Sequence, residues 1–315
     1  MLIGGALANR FVELAACWAV ILLVTGLYIW WPRNKASIWG TILPRFNVKG
    51  RTFWRDMHAV PAFWLSLFIL IVIVTGLPWT DVMGEQIKNL ASATNTGYPP
   101  YAHSFAEKPE SASVIRTKDV AEDIPWATEN LPVPVSRATG YLPLSLEDVD
   151  YIAQREQVNK PYTITLPQGE TGVYTISTSH SKPGDNATLH VDQYTGAVLS
   201  DVRFDDYGIL AKGITVGIAL HEGRLFGLLN QIIGLIVCLG MIGIMISSIM
   251  MWWKRKQEGK LGAPAKPKDP RVTRTVFFIM LGKGLIMPLV GISILVVFIL
   301  DRFVLSKISP IQKWW

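Results

Sequence analysis

The chain has 315 residues, half of them hydrophobic and 17% charged, with a formal net charge of +6 and a mean hydropathy of +0.30. This composition excludes a soluble domain and describes a membrane protein with a sizeable polar insert. The charge is uneven: residues 79–220 hold 18 Asp/Glu and 10 Lys/Arg, a balance of −8, so the remainder carries +14 beside its apolar runs. That asymmetry is a topology signal and calls for no nucleic-acid partner.

In chain order, a first span covers Val12–Trp31 and ends in Trp30-Trp31-Pro32-Arg33, unlike a cleavable signal peptide, which ends at small residues. The connection Pro32–Asp56 sets six Lys/Arg against one acid and is expected on the cytoplasmic side, which puts the N-terminus outside. A second span, from about His58 to Trp79, has Pro61 in its expected first turn, where a missing N–H costs little. Residues 1–79 form the first part of the protein.

Residues 80–216 are the one large polar segment, expected on the outer side of the membrane. Its first part mixes Pro, Ser, Thr and acids without period. A better-defined module occupies about 141–206. There SLEDVDYIAQREQ pairs a Ser cap with apolar spacing at Val149, Ile152 and Ala153, predicting a short amphipathic helix. Three β-rich runs follow, with turn residues at Gln168-Gly169, Pro183–Asn186 and Tyr194-Thr195-Gly196 between or within them, predicting an antiparallel α+β module.

Residues 217–315 read as two more spans around a cytoplasmic loop, 254–275. The third span carries no charge from Leu225 to Trp253 and ends in Trp252-Trp253-Lys254-Arg255, an aromatic belt with a basic flank. The fourth runs from about Val276 to Leu300, with Pro288 read as a kink. The expected fold is a multi-pass α-helical membrane protein with four transmembrane helices, an inserted α+β domain on the outer side and both termini outside. Cys17 and Cys238 fall inside apolar runs, where a small buried hydrophobe is the ordinary reading.

Spans one and three look like copies of one unit. Leu2-Ile3-Gly4, followed by Trp30-Trp31-Pro32-Arg33, parallels Leu225-Phe226-Gly227, followed by Trp252-Trp253-Lys254-Arg255. A histidine stands just ahead of the second copy, at His221, and the matching place in the first copy lies before Met1.

The ordered set FWRDMHAVPAFWLSLFILIVIVTGLPW, HVDQYTGAVLSDVRF, LHEGRLFG…MMWWKRK and LGAPAKPKDPR resembles the PepSY-associated transmembrane family of iron-regulated membrane proteins and ferric-siderophore reductases. The resemblance implies a haem b protein of the bacterial inner membrane with PepSY-like domains in the periplasm, which makes the outer side, with both termini, the periplasmic one. Its electrons would come from a cytoplasmic or quinol donor and pass to a ferric siderophore or other ferric iron. The family's intramembrane histidines match His58 in WRDMHAV and His221 in ALHEGRLFG. Family members also carry an earlier helix with a further histidine and an earlier PepSY-like copy, so the expectation is a chain truncated or shortened at its N-terminus.

Imidazole is the usual axial ligand of b-type haem, and small residues on facing helices supply the slot a porphyrin needs. Gly223, Gly227 and Gly234 are spaced to lie near one helical face beneath His221. A water-bonded interfacial histidine would look the same in sequence. His58 starts its span at one face and His221 at the other, so they would mark two haems, one near each face, with ferric reduction outside. Arg10 and Arg224 at the outer mouth, and Arg51 and Arg55 at the inner one, are propionate candidates against a plain topological role. Glu13 is expected to face the bundle. His103, His180 and His190 lack metal-ligand spacing and read as surface residues. The rival function is a membrane-anchored PepSY module that binds peptides or restrains a protease, without redox activity.

Overall fold

The computed structural model describes residues 5–31, 39–97, 115–137, 142–179, 182–255 and 270–304. They fall into a helical unit, Met1–Glu85 with Ile232–Trp315, and a second unit, Gln86–Gln231. Among the described residues, three helical segments are long and apolar enough to cross a membrane: Leu7–Trp30, Arg51–Trp79 and Leu228–Arg255.

Helix α1 (Ala6–Trp30) stops where Pro32 forces Trp31 out of helical geometry, to φ −52° and ψ 121°. Within it the Thr25 hydroxyl donates to the Ile21 carbonyl at 2.7 Å, which hides a polar group that lipid cannot solvate. Helix α2 (Arg51–Gly76) begins seven residues earlier than the expected second span and closes in a 3₁₀ turn, Leu77–Trp79. Pro61 is therefore inside the helix, not in its first turn, and its missing N–H leaves the Met57 carbonyl without the usual i+4 donor.

Glu13 is fully buried on α1 and accepts the backbone N–H groups of Val82 at 3.0 Å and Met83 at 2.9 Å. Those amides open helix α3 (Val82–Ala93), whose first-turn donors have no partner within their own helix. A carboxylate from another helix thus caps α3 and meets its positive end. Asn9 Nδ2 donates to Asp81 beside this cap, and Arg10 Nε lies 3.9 Å from the same carboxylate. Gly84 allows the close turn, since a Cβ there would stand 2.7 Å from the Pro78 carbonyl oxygen.

The expected single helix from Val276 to Leu300 is two helices, α8 (Pro270–Ile286) and α9 (Pro288–Phe303), broken at Met287 (φ −114°, ψ 91°). Pro288 occupies the first position of a new helix, where its fixed φ fits, and does not kink an existing one. The bend brings Gly291 against Gly284: a Cβ on Gly291 would lie 2.6 Å from the Gly284 carbonyl oxygen. Trp18 Nε1 donates to Ser293 Oγ at 3.0 Å, tying α1 to α9.

In the second unit the three β-rich runs form four strands, β1 (Thr163–Thr165), β2 (Val173–Thr178), β3 (Ala187–Asp192) and β4 (Val198–Arg203), antiparallel in the order β1-β2-β3-β4. The third run folds back on itself because Asp192 Oδ1 accepts from the amides of Tyr194 and Thr195, closing the turn before Gly196. Helix α5 (Leu146–Arg155), which follows the short helix α4 (Thr117–Val120), is capped as expected: Ser145 Oγ accepts from the Asp148 amide, and Asp148 Oδ2 accepts from the Ser145 amide, both at 3.2 Å. Val149, Ile152 and Ala153 are buried against Tyr174, Ile176, Leu189 and Val191 of the sheet.

A second core gathers Trp126, Leu131, Val202 and Tyr207 around helix α6 (Ile209–His221). The two ends of the polar insert meet beside it. The Gly208 amide donates to the Gly97 carbonyl at 2.6 Å, and the Leu210 and Ala211 amides both reach the Thr96 carbonyl, at 3.0 and 3.1 Å. A side chain at position 208 would close this seam, because its Cβ would stand 2.3 Å from the Thr96 oxygen.

Candidate functional site

His58 lies in the eighth position of α2, half-buried, with Nδ1 3.1 Å from the carbonyl oxygen of Ile244 on helix α7 (Leu228–Arg255). A carbonyl can only accept, so Nδ1 carries a proton, and in the neutral ring the lone pair is then on Nε2. Ser247 Oγ, almost fully buried, donates to the same carbonyl at 2.9 Å and lies 3.4 Å from Nδ1. About two helix turns from His58 toward the C-terminus of α2, the two helices come close because α7 has no side chain at Gly240. A Cβ there would stand 2.1 Å from Leu65 Cδ1. The ring is thus oriented by a backbone oxygen behind it, the support that histidine ligands of metals ordinarily have. An imidazole held in this way could serve as a metal ligand through Nε2. Of the other histidines, the described His190 and His221 belong to the second unit.

Two residues before His58, Asp56 is fully buried and held by two arginines. Arg45 Nε donates to Oδ2 at 2.7 Å, and Arg55 Nη2 donates to Oδ1 at 2.8 Å. The Arg45 guanidinium crosses Gly40, where a Cβ would stand 2.6 Å from Arg45 Nε. Sequence reading put Arg55 forward as a propionate partner and overlooked Asp56. Arg10 and Arg224 likewise have carboxylates beside them, Asp81 at 3.9 Å and Glu222 at 2.5 Å. Three of the four propionate candidates thus have an acid at hand, which favours a structural role for their charge. Arg51 is described only as an exposed first residue of α2.

His221 is exposed and ends α6, a helix of its own. The expected glycine face beneath it is absent, because Gly223 (φ +76°) and Gly227 (φ +59°) are turn residues ahead of α7 and not part of a helix. Asn230 Nδ2 closes the turn by donating to the Leu220 carbonyl at 3.0 Å. A continuous apolar run in sequence hid this break.

His190 is a second correction. It is fully buried on β3, not on the surface, with Nε2 3.2 Å from Thr117 Oγ1 and Nδ1 3.1 Å from Thr175 Oγ1. Thr117 donates its own hydroxyl proton to the Leu131 carbonyl at 3.1 Å, so Nε2 donates to Thr117 and Nδ1 accepts from Thr175. The ring is neutral, and burial pushes its pKa down to about 4. His103 and His180 lie outside the described residues. Cys17 is buried as expected, whereas Cys238 is exposed on α7.

The second unit also holds a half-open cavity of about 300 Å³ between α3, the Trp126–Pro132 segment and Ala211. Lys88 reaches across it, paired with Glu129 at 2.5 Å and 5.7 Å from the Trp126 ring centre. Asn130 Oδ1 is buried with no hydrogen-bond partner among the described residues. No group of three or more His, Cys, Asp or Glu suited to a metal ion occurs among the described residues.

A profile of the PepSY-associated TM region matches residues 1–255. The chain belongs to the PepSY-associated TM family. The match takes in all three membrane-length helices and the four-stranded sheet of this PepSY-associated protein and ends with α7, so α8 and α9 lie beyond it. No curated protein matches the chain.

Proposed function

We propose that this PepSY-associated protein is a haem b electron-transfer protein of the bacterial inner membrane that serves reduction of ferric iron or a ferric siderophore in the periplasm. The observation that carries the reading is His58 on a membrane-length helix, whose Nδ1–H is committed to the Ile244 carbonyl, so that in the neutral ring Nε2 is the nitrogen with a lone pair to give. A bound haem would supply one-electron chemistry at that position. The chain's own contribution is to hold the ring. Ile244 and Ser247 set its tautomer, and the close approach at Gly240 keeps α2 and α7 in register. His221, exposed at the end of α6, is the ligand proposed for a second haem near the opposite face. A cytoplasmic or quinol donor would supply the electrons. Once reduced, Fe(II) is a poorer fit to hard oxygen chelators and leaves them.

The test is a reduced-minus-oxidised visible spectrum of the full chain, purified in detergent after expression with ample haem. A b-type α-band, weakened by His58→Ala and separately by His221→Ala, is expected. Colourless protein overturns the proposal. It would favour the second reading, a membrane-anchored module that binds peptide or restrains a protease. The observation on that side is the cavity at Trp126, where the unpartnered Asn130 Oδ1 would accept from a peptide amide.

A further inference from the structure

The connection ahead of α2 is basic in composition, but its tip is not. Trp39, Ile42, Leu43 and Phe46 are exposed by 58%, 41%, 44% and 73%. Two contacts determine how this loop lies along α2. Arg45 is anchored to Asp56, and eight residues further along the helix Trp64 Nε1 donates to the Ile42 carbonyl at 2.9 Å. Eight residues of helix rise about 12 Å, and side chains lean toward the helix N-terminus by up to about a turn. The tip therefore lies roughly 6 to 12 Å beyond Asp56, alongside the apolar part of α2.

That depth can be set against the bilayer. The uncharged run of α2 and its 3₁₀ extension starts after Asp56, and the stretch from Ala59 to Trp79 would span about 31 Å, the thickness of the hydrocarbon. Ile42 and Leu43 thus pass the level of Ala59. Several of the loop's backbone groups are occupied within the protein. The Gly40 amide donates to the Leu43 carbonyl at 2.6 Å, the Ile42 carbonyl takes the Trp64 indole, and the Arg45 amide points to Asp56 at 3.3 Å. On the α2 surface beside the loop, Trp64, Leu67 and Phe68 are exposed as well, so the apolar side chains of the tip continue a lipid-facing belt.

We infer that residues 39–46 form a wedge that enters the headgroup and acyl boundary of the membrane, with Ile42 and Leu43 among the lipid chains and Arg45 held above them by Asp56. Its partner is the bilayer itself. The inference is independent of whether the protein binds haem.

Spin labels placed on the full chain in lipid nanodiscs test it. With Cys238→Ser to remove the exposed native thiol, a nitroxide at Ile42→Cys is compared with labels at Lys49→Cys and Leu67→Cys. Collision with oxygen is expected to exceed collision with a water-soluble nickel chelate at Ile42, as at the lipid-facing Leu67. Trp64→Phe, which frees the Ile42 carbonyl, is expected to shift the Ile42 label toward the chelate. Chelate access at Ile42 equal to or greater than oxygen access, as at Lys49, overturns the inference.

Discussion

Glu13 on α1 holds the backbone amide of Met83 at 2.9 Å and that of Val82 at 3.0 Å. A buried carboxylate that accepts two helix-opening amides is acting as a cap, and the fit depends on both its charge and its two acceptor oxygens. Glu13→Gln keeps the shape but turns one acceptor into a donor aimed at an N–H. It is expected to lower stability by about 1–3 kcal/mol, the usual cost of an unmet buried group. Thermal unfolding in detergent, with protease cutting near residues 80–85 as the local readout, checks this; unchanged melting and cutting would show that the cap contributes nothing.

His190 predicts a pH dependence. Its folded pKa, about 4, lies below the ordinary 6.5, so the folded state favours the neutral ring. Its stabilising effect is complete above pH 6.5 and is lost as pH falls toward 4, because the unfolded chain takes up the proton first. The loss is on the order of 3 kcal/mol across that window. Hydrogen exchange of the β2 and β3 amides, followed from pH 7 to 4, should show it. His190→Gln should remove the part of the slope that exceeds the contribution of the carboxylates.

Gly240 makes a steric prediction. A methyl group there would meet Leu65, the movable end of a side chain, so Gly240→Ala forces Leu65 to another rotamer at a cost of about 1–3 kcal/mol. Adding Leu65→Ala should recover part of that loss, giving a double variant more stable than the sum of the singles implies. Strict additivity would mean that the two helices do not meet at this point.

The Asp56 cluster predicts redundancy. Arg45→Met leaves Arg55 on the carboxylate, and Arg55→Met leaves Arg45, so each single variant should insert and fold. The double variant strands a fully buried acid and should fall sharply in folded yield. Adding Asp56→Asn to the double variant should restore much of that yield. Size-exclusion chromatography of the solubilised protein measures all four variants.

These contacts mark what the sequence could and could not disclose. Helices α1, α2 and α7 are legible because an apolar run of membrane length leaves few alternatives. The start of α5 is legible because Ser145 and Asp148 form a capping pair beside a clear apolar spacing. The break at Met287 is not, since a proline inside an apolar run is equally consistent with a kink and with a new helix starting at Pro288. Nor is the separation of α6 from α7, which rests on positive φ at Gly223 and Gly227. His58 can be picked out as a histidine at a helix start, but its tautomer depends on a carbonyl 186 residues away. His190 was misjudged for the same reason: its partner Thr117 is 73 residues distant, and no local spacing announces it.

The seam where Thr96 and Gly97 meet Gly208 and Ala211 makes the entry and exit of the insert neighbours. Such a doorway makes everything between residues 98 and 207 a guest. Its length or content can drift over generations without pulling on the host helices, provided the small residue at 208 stays. A lineage could enlarge or exchange the parts of the guest that lie away from the Trp126 core and keep the threshold intact.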